Sequence, residues 1–217
     1  MNTRLCKRDE CLKRPKFTLR SVFVLFSCLR KAKNSSKGAV MEFWDVYDKN
    51  RIPKGYKIMR GGDRRLGKGE YHVTCHVCLF VDDGSMLIQK RADFKGLWGG
   101  LWDISAGGSV LAGETSLAGA ERELFEEIGV KADFGDGMPL MTFYGGDCIS
   151  DYYVAHAKVK TENVTMQDSE VSAVRIATRD EVLALLESGE FVPYKRGFIE
   201  LIFDMSNSEH KRPFEWK

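Results

Sequence analysis

Apolar and polar residues alternate most clearly over residues 71–81 (YHVTCHVCLFV), and an apolar run returns over 86–91 (MLIQKR). Asp82-Asp83-Gly84 lies between them, so the two runs predict antiparallel strands joined by a hairpin. The same pattern predicts strands at 42–48, 102–106, 139–144, 152–160 and 171–177. Residues 49–55 read as a turn-rich loop around Pro53, 61–69 hold at most one helical turn, and 93–101 form a loop rich in Gly and aromatic residues. The period shifts to that of a helix in three places. The first lies between Thr115 or Ser116, as N-cap, and Gly129, as the stop. The second is capped by Thr178 and runs to about Ser188, and the third covers 195–206. Mixed strands with two or three helices on their faces predict an α/β (or α+β) sandwich with a mixed sheet. No internal repeat occurs, and no linker separates two folded domains.

The first helix carries the chemistry. Residues 108–130 read GSVLAGETSLAGAERELFEEIGV. At 3.6 residues per turn, Glu123, Glu126 and Glu127 share one face, with Arg122 at its edge. Leu117, Leu124 and Ile128 take the opposite face, which is expected to dock into a core. Gly119 costs about 1 kcal/mol against Ala inside a helix, which points to close packing or to the return path of the preceding loop. Carboxylates at i, i+3 and i+4 repel by a few tenths of a kcal/mol per pair when exposed, so this face calls for a cation. Hard oxygen donors select Mg²⁺ or Mn²⁺, and Mg²⁺ is usually shared with substrate phosphates, so a small-molecule phosphate substrate follows. The bland alternative is a charged surface helix with accidental spacing.

Charge divides the chain. Residues 1–40 hold 11 Lys and Arg against two acidic residues, a net charge of +9, and the remainder carries −7. An acidic body argues against nucleic-acid binding. The basic segment has one short apolar run, Val22 to Leu29, broken by Ser27. It reads as a weak secretory signal, as a transit-like leader, or as non-native sequence ahead of a true start at Met41. It is expected to be disordered or loosely helical, with residues 41–217 forming the working domain. No run approaches the ~18 apolar residues of a membrane span. Of the six cysteines, only Cys75 and Cys78 form a close pair in the body. Three residues apart on a strand they face opposite ways, which predicts half-buried free thiols in a reducing cytoplasm rather than a metal clip or redox pair.

The motif from Gly108 through Glu114 and Arg122-Glu123-Leu124 to Glu126-Glu127 and Gly129-Val130 resembles the complete signature of the Nudix hydrolases. Seven fixed positions at about one in twenty each put a chance match on the order of 10⁻⁹ per start position. The resemblance implies a Nudix-type α/β/α sandwich. It further implies a pyrophosphohydrolase that cleaves a nucleoside diphosphate linked to another moiety, with Mg²⁺ or Mn²⁺, by water attack at phosphorus. Glu126 and Glu127 match the metal-binding pair. Glu123 matches the carboxylate that binds metal or handles the attacking water, and Arg122 the residue that orients it. Gly107 matches a position whose carbonyl ligates metal. Glu114 matches a carboxylate that supports the loop and reaches a second metal. The family often adds an acidic residue from a later loop, for which Glu170 is the first candidate and Asp168 the second; a solvated acidic turn is the plain alternative. Arg91 and Lys90, at the end of a strand beside the Gly-rich loop, are candidates for substrate phosphate, as is Lys95 within that loop. Surface charge would account for them equally well. Trp98, Trp102, Phe94 and Tyr144 could stack on a base or simply pack.

Upstream, WDVYD, GEYH, IQKR and GLWGGLWDISAGG resemble the Nudix branch nearest isopentenyl-diphosphate isomerase. The isomerase chemistry needs a cysteine and a histidine-rich metal site. Gly107 takes the cysteine position, Ser109 a metal-histidine position, and Arg65 falls near another; only His72 fits. His72 and His76 are therefore read as structural. The rival functions are this isomerisation and a non-catalytic nucleotide-binding module, which would be expected to lose motif glutamates. A homodimer is left open.

Overall fold

The computed structural model describes residues 41–206. The basic leader, Cys6, Cys11, Cys28 and the last eleven residues lie outside them. The chain runs β1 (Phe43–Tyr47), β2 (Pro53–Met59), β3 (His72–Phe80), β4 (Met86–Arg91), β5 (Trp102–Asp103), β6 (Ala106–Ser109), α1 (Ser116–Ile128), β7 (Met141–Gly145), β8 (Cys148–His156), β9 (Val171–Ala177), α2 (Arg179–Ser188) and α3 (Arg196–Ser206).

Seven strands make one sheet in the order β5-β4-β3-β8-β7, with β6 pairing β3 and β9 pairing β4. The β3–β8 pair is parallel and its neighbours are antiparallel, so the sheet is mixed, as expected. The alternation gives way to an unbroken apolar run from Val77 to Phe80 because β3 is buried on both faces. Val73, Cys75, Val77 and Leu79 meet Leu124 and Ile128 of α1 on one side. Cys78 and Phe80 meet Val182 of α2 and Ile199, Ile202 and Phe203 of α3 on the other. The result is the predicted α/β/α sandwich. Cys75 and Cys78 belong to different cores, and both are buried free thiols, so a clip between them is ruled out by geometry.

Three strand expectations need correction. Residues 53–55, expected as loop, open a strand that runs over 53–59: β2 pairs with β1 in a separate two-stranded sheet. Its pattern hides it, because only Ile58 is buried there, and Pro53 sits at the strand's first position, where its missing donor costs least. The single strand expected at 102–106 is two strands. Asp103 pairs with Gln89 of β4 while Ala106 pairs with Val77 of β3. Ser105 bridges the gap: its hydroxyl accepts from the Leu79 N–H and donates to the Leu87 carbonyl. Lastly, β8 begins at Cys148, not Tyr152, because Gly145 pairs directly with Cys148 around a two-residue turn. The charged stretch after His156 leaves the sheet.

The helix limits follow the capping residues. Thr115 accepts from the Ala118 N–H at 3.1 Å, and Gly129, at φ 70°, closes α1 with its N–H on the Phe125 carbonyl. Gly119 answers to close packing: a Cβ there would lie 3.1 Å from Val110 and 3.4 Å from the Cys75 sulfur.

Candidate active site

The loop between β6 and α1 places the glutamates against the sheet. Gly108 faces Cys75, and Gly107 faces His76, across the β3–β6 pairing. A side chain at Gly108 would overlap both carboxylate oxygens of Glu123, so the glycine is what lets α1 lie this close. The two-faced reading of α1 holds for Leu124 and Ile128, which are fully buried, but fails for Glu127. Glu127 is only 5% exposed, whereas Glu126 is open to solvent. The helix presents a gradient, with Glu126 at the rim, Glu123 between, and Glu127 at the floor.

Glu127 accepts from the Gln89 side-chain amide at 2.9 Å and from the Gly107 N–H at 3.2 Å. Both donors are neutral. Burial first, and then the charge of Glu123, push its carboxyl up to about 8. Burial likewise raises Glu123, against the pull of Arg122. Arg122 ties the array together. It donates to Glu114 at 2.8 and 3.0 Å, to Glu123 at 2.9 Å, to Glu126 at 3.1 Å and to the Ser109 carbonyl at 3.0 Å. Glu114 also accepts from the Leu111 N–H at 3.0 Å, so it braces the loop. The first hairpin braces it from outside: Asp45 accepts from the Gly113 N–H at 2.7 Å.

Glu170 joins this group through the backbone. The Gln167 N–H donates to the Glu127 carbonyl at 2.9 Å, and the Glu170 N–H closes a turn on Gln167 at 2.8 Å. The Glu170 charge is among the causes that raise Glu127. Its side chain forms an ion pair with Lys95. Asp168 is exposed in the same turn. Arg91 is engaged within its own loop, reaching Asp103 and the Leu97 carbonyl, each at 3.3 Å, and Lys90 is half-buried beside it.

The two histidines are packed. His72 stacks on Trp44 at 4.0 Å and His76 on Tyr152 at 4.5 Å, and burial lowers each to about 4, so both are neutral at pH 7. His72, Asp147 and Cys148 bring donor atoms within 4.8 Å of one another, on the face of β3 turned away from α1. A cavity of about 320 Å³ beside Trp98, Leu101, Phe191 and Tyr194 contains no residue of the 108–130 stretch. Trp102 lies under the Arg175 guanidinium, while Phe94 and Tyr144 are exposed.

Gln89, the Gly107 N–H and the Lys95 pairing escaped sequence reasoning. A polar residue inside the otherwise apolar run of β4 was the available signal for Gln89. The other two depend on contacts across 20 and 75 positions of the chain.

The fold gathers Glu114, Arg122, Glu123, Glu126 and Glu127 around the loop that leads into α1. Residues 70–201, more than half of the chain, match the family model described as the NUDIX domain. An uncharacterized Nudix hydrolase of Listeria monocytogenes is 39% identical over 168 residues, covering 77% of this chain and 97% of that protein. An isopentenyl-diphosphate Delta-isomerase of Pectobacterium atrosepticum is 34% identical over 86 residues, covering 40% of this chain and 46% of that one. A crystal structure from Deinococcus radiodurans shares the fold, with a TM-score of 0.59, 22% identity, and coverage of 74% and 97%. The chain belongs to the Nudix hydrolase family. Its enzyme class is that of the Nudix pyrophosphohydrolases. No helix among the described residues is long and apolar enough to cross a membrane.

Proposed function

We propose that this enzyme hydrolyses the phosphoric anhydride of a nucleoside diphosphate or a nucleoside diphosphate-linked compound, using Mg²⁺ or Mn²⁺. The observation that carries the reading is Glu127, a buried carboxylate beside Glu123 and near Glu170, whose own hydrogen bonds come only from neutral donors. Such an array fits a hard divalent cation, because a cation would remove the charge cost that now raises Glu127 and Glu123. Glu123, Glu126 and Glu127 would hold it, with the Gly107 carbonyl and Glu114 completing the donor set. When bound, the cation neutralises charge developing on the phosphoryl oxygens and acidifies water.

The protein's own residues do the rest. Arg122 fixes Glu123 through one oxygen and keeps the array in register with the loop. Glu170, beside Glu127, is the carboxylate that takes the proton of the attacking water. Lys90 and Arg91 flank the loop through which the substrate phosphates enter. Gly107 weighs against isomerisation: no thiol stands there, and a Cβ would lie 2.8 Å from His76 Nδ1. Residues 41–217 form the catalytic domain in this reading, and the buried thiols Cys75, Cys78 and Cys148 suit a reducing cytoplasm.

The test is an assay of the full chain with Mg²⁺ against nucleoside diphosphates and triphosphates, sugar nucleotides, dinucleotides and isopentenyl diphosphate. Phosphate or nucleotide release that disappears in Glu127→Gln is expected. No turnover of any member, or turnover indifferent to that substitution, overturns the reading.

A further inference from the structure

The loop of residues 92–101 is built to hold one lysine at the carboxylate array. Its base is closed by the Arg91 N–H on the Leu101 carbonyl and the Gly100 N–H on the Arg91 carbonyl, at 2.9 and 3.0 Å. Inside it, a Cβ at Gly99 would meet the backbone oxygens of Lys95 and Asp93 at 2.5 and 2.6 Å, so the chain doubles back there by necessity. The Lys95 N–H donates to the Ala92 carbonyl, and the Ala92 N–H donates in turn to the Glu170 carbonyl, at 3.0 and 2.9 Å. One residue therefore links the backbones of the two ion-pair partners, and Lys95 is aimed at Glu170 by the base of the loop. Both side chains stay reachable from solvent, 23% and 32% exposed.

The other cation of the array is differently placed. Arg122 is committed to Glu114, Glu123, Glu126 and the Ser109 carbonyl, and a phosphate could recruit it only by dismantling the loop that shapes the site. Lys95 stands on a flexible stem, and its ammonium suits a phosphate oxygen as well as a carboxylate.

We propose that Lys95 is the residue that binds a substrate phosphate, and that it is transferred to that phosphate from Glu170. In the free enzyme Lys95 neutralises Glu170. When a diphosphate arrives, the ammonium moves to the phosphoryl oxygens and leaves the Glu170 carboxylate free to accept a proton. Substrate binding and release of the proton acceptor become one event. This rests on the hydrolase reading above and names the group that senses the substrate within it.

The handover makes the two partners respond in opposite directions, which a merely structural ion pair would not. The probe is methylenediphosphonate, a diphosphate that cannot be hydrolysed, titrated calorimetrically into the full chain with Mg²⁺. Lys95→Met is expected to weaken its binding about tenfold, and Lys95→Arg to restore most of it. Glu170→Gln releases the lysine and is expected to tighten binding about fivefold while turnover falls. In the double variant the gain from Glu170→Gln disappears. If both single variants weaken binding, or neither changes it, while their melting temperatures stay near the wild type, the handover is wrong. If the wild type itself does not bind methylenediphosphonate with Mg²⁺, the diphosphate reading fails, and this proposal with it.

Discussion

Two carboxylates sit at comparable depth in this protein and behave in opposite ways. Asp151 on β8 is fully buried and Glu127 on α1 is 5% exposed. Asp151 is met by the Arg51 guanidinium, at 2.9 Å through its Nη1, and by the Thr142 hydroxyl at 2.6 Å. Burial raises its carboxyl, but Arg51 and the hydroxyl outweigh burial and leave it below the usual range. Glu127 has an amide and a backbone N–H, with further carboxylates around it, and is pushed up to about 8. Depth alone therefore does not mark a site. What marks it is a buried carboxyl that the chain leaves without a cation of its own, because such a group stays charged at neutral pH only where something from outside completes it. Even the chain's local strain fits the contrast. Arg51 adopts φ 60°, an unfavourable conformation for a side chain of its kind, and holds it while bonded to Asp151.

The largest effect expected is at Glu127. Glu127→Gln removes a carboxylate proposed to hold the metal and should lower turnover about 10³-fold or more, yet the metal-free variant should melt no lower than the wild type, since the amide is neutral at every pH in this buried position. Turnover assays and thermal melts without metal check both halves; a large fall in melting temperature would place Glu127 with Asp151 instead. Gly108→Ala comes next. Its Cβ would overlap the Glu123 carboxylate, so Glu123 must move, and kcat should drop about 100-fold with the fold intact.

Arg51→Ala sharpens the other side. It strands Asp151 without its cation and should cost about 2 kcal/mol, less than for a fully buried pair because Arg51 is itself 35% exposed. Urea unfolding measures it, and activity of the folded fraction should change little.

The smallest effect is pH dependence. A carboxyl whose folded pKa lies near 8 binds its proton more tightly folded than unfolded, so its contribution to stability is complete below about 4.5 and is lost as pH rises through about 8. The metal-free melting temperature should fall by several degrees over that window, and Mg²⁺ or Glu127→Gln should flatten the slope. A flat profile in the metal-free wild type would mean that Glu127 is compensated after all.

Much of this was legible in the chain. The period of 108–130 and its caps set the limits of α1, because Thr115 and Gly129 act within one helical turn of themselves. The alternation in 71–81 set β3, and the spacing of three positions from Cys75 to Cys78 set their separation onto two faces. The family motif named Arg122, Glu123, Glu126 and Glu127, and α1 brings them together. Strand β2 escaped because one buried residue leaves no period to read, and the division between β5 and β6 escaped because Ser105 marks it only through bonds to two other strands.

The sequence by itself determined the helices, most of the strands and the order of glutamates on one helix, since these rest on spacing along a regular backbone. Tertiary structure decided which glutamate is buried and which cation each carboxylate meets. Glu126 and Glu127 are adjacent in sequence, and only the sheet beneath α1, with Gln89 and Gly107 on it, makes one a rim residue and the other the floor of the site. Charge compensation depends on distance through the fold, and Lys95 reaches Glu170 across 75 positions that no local pattern connects.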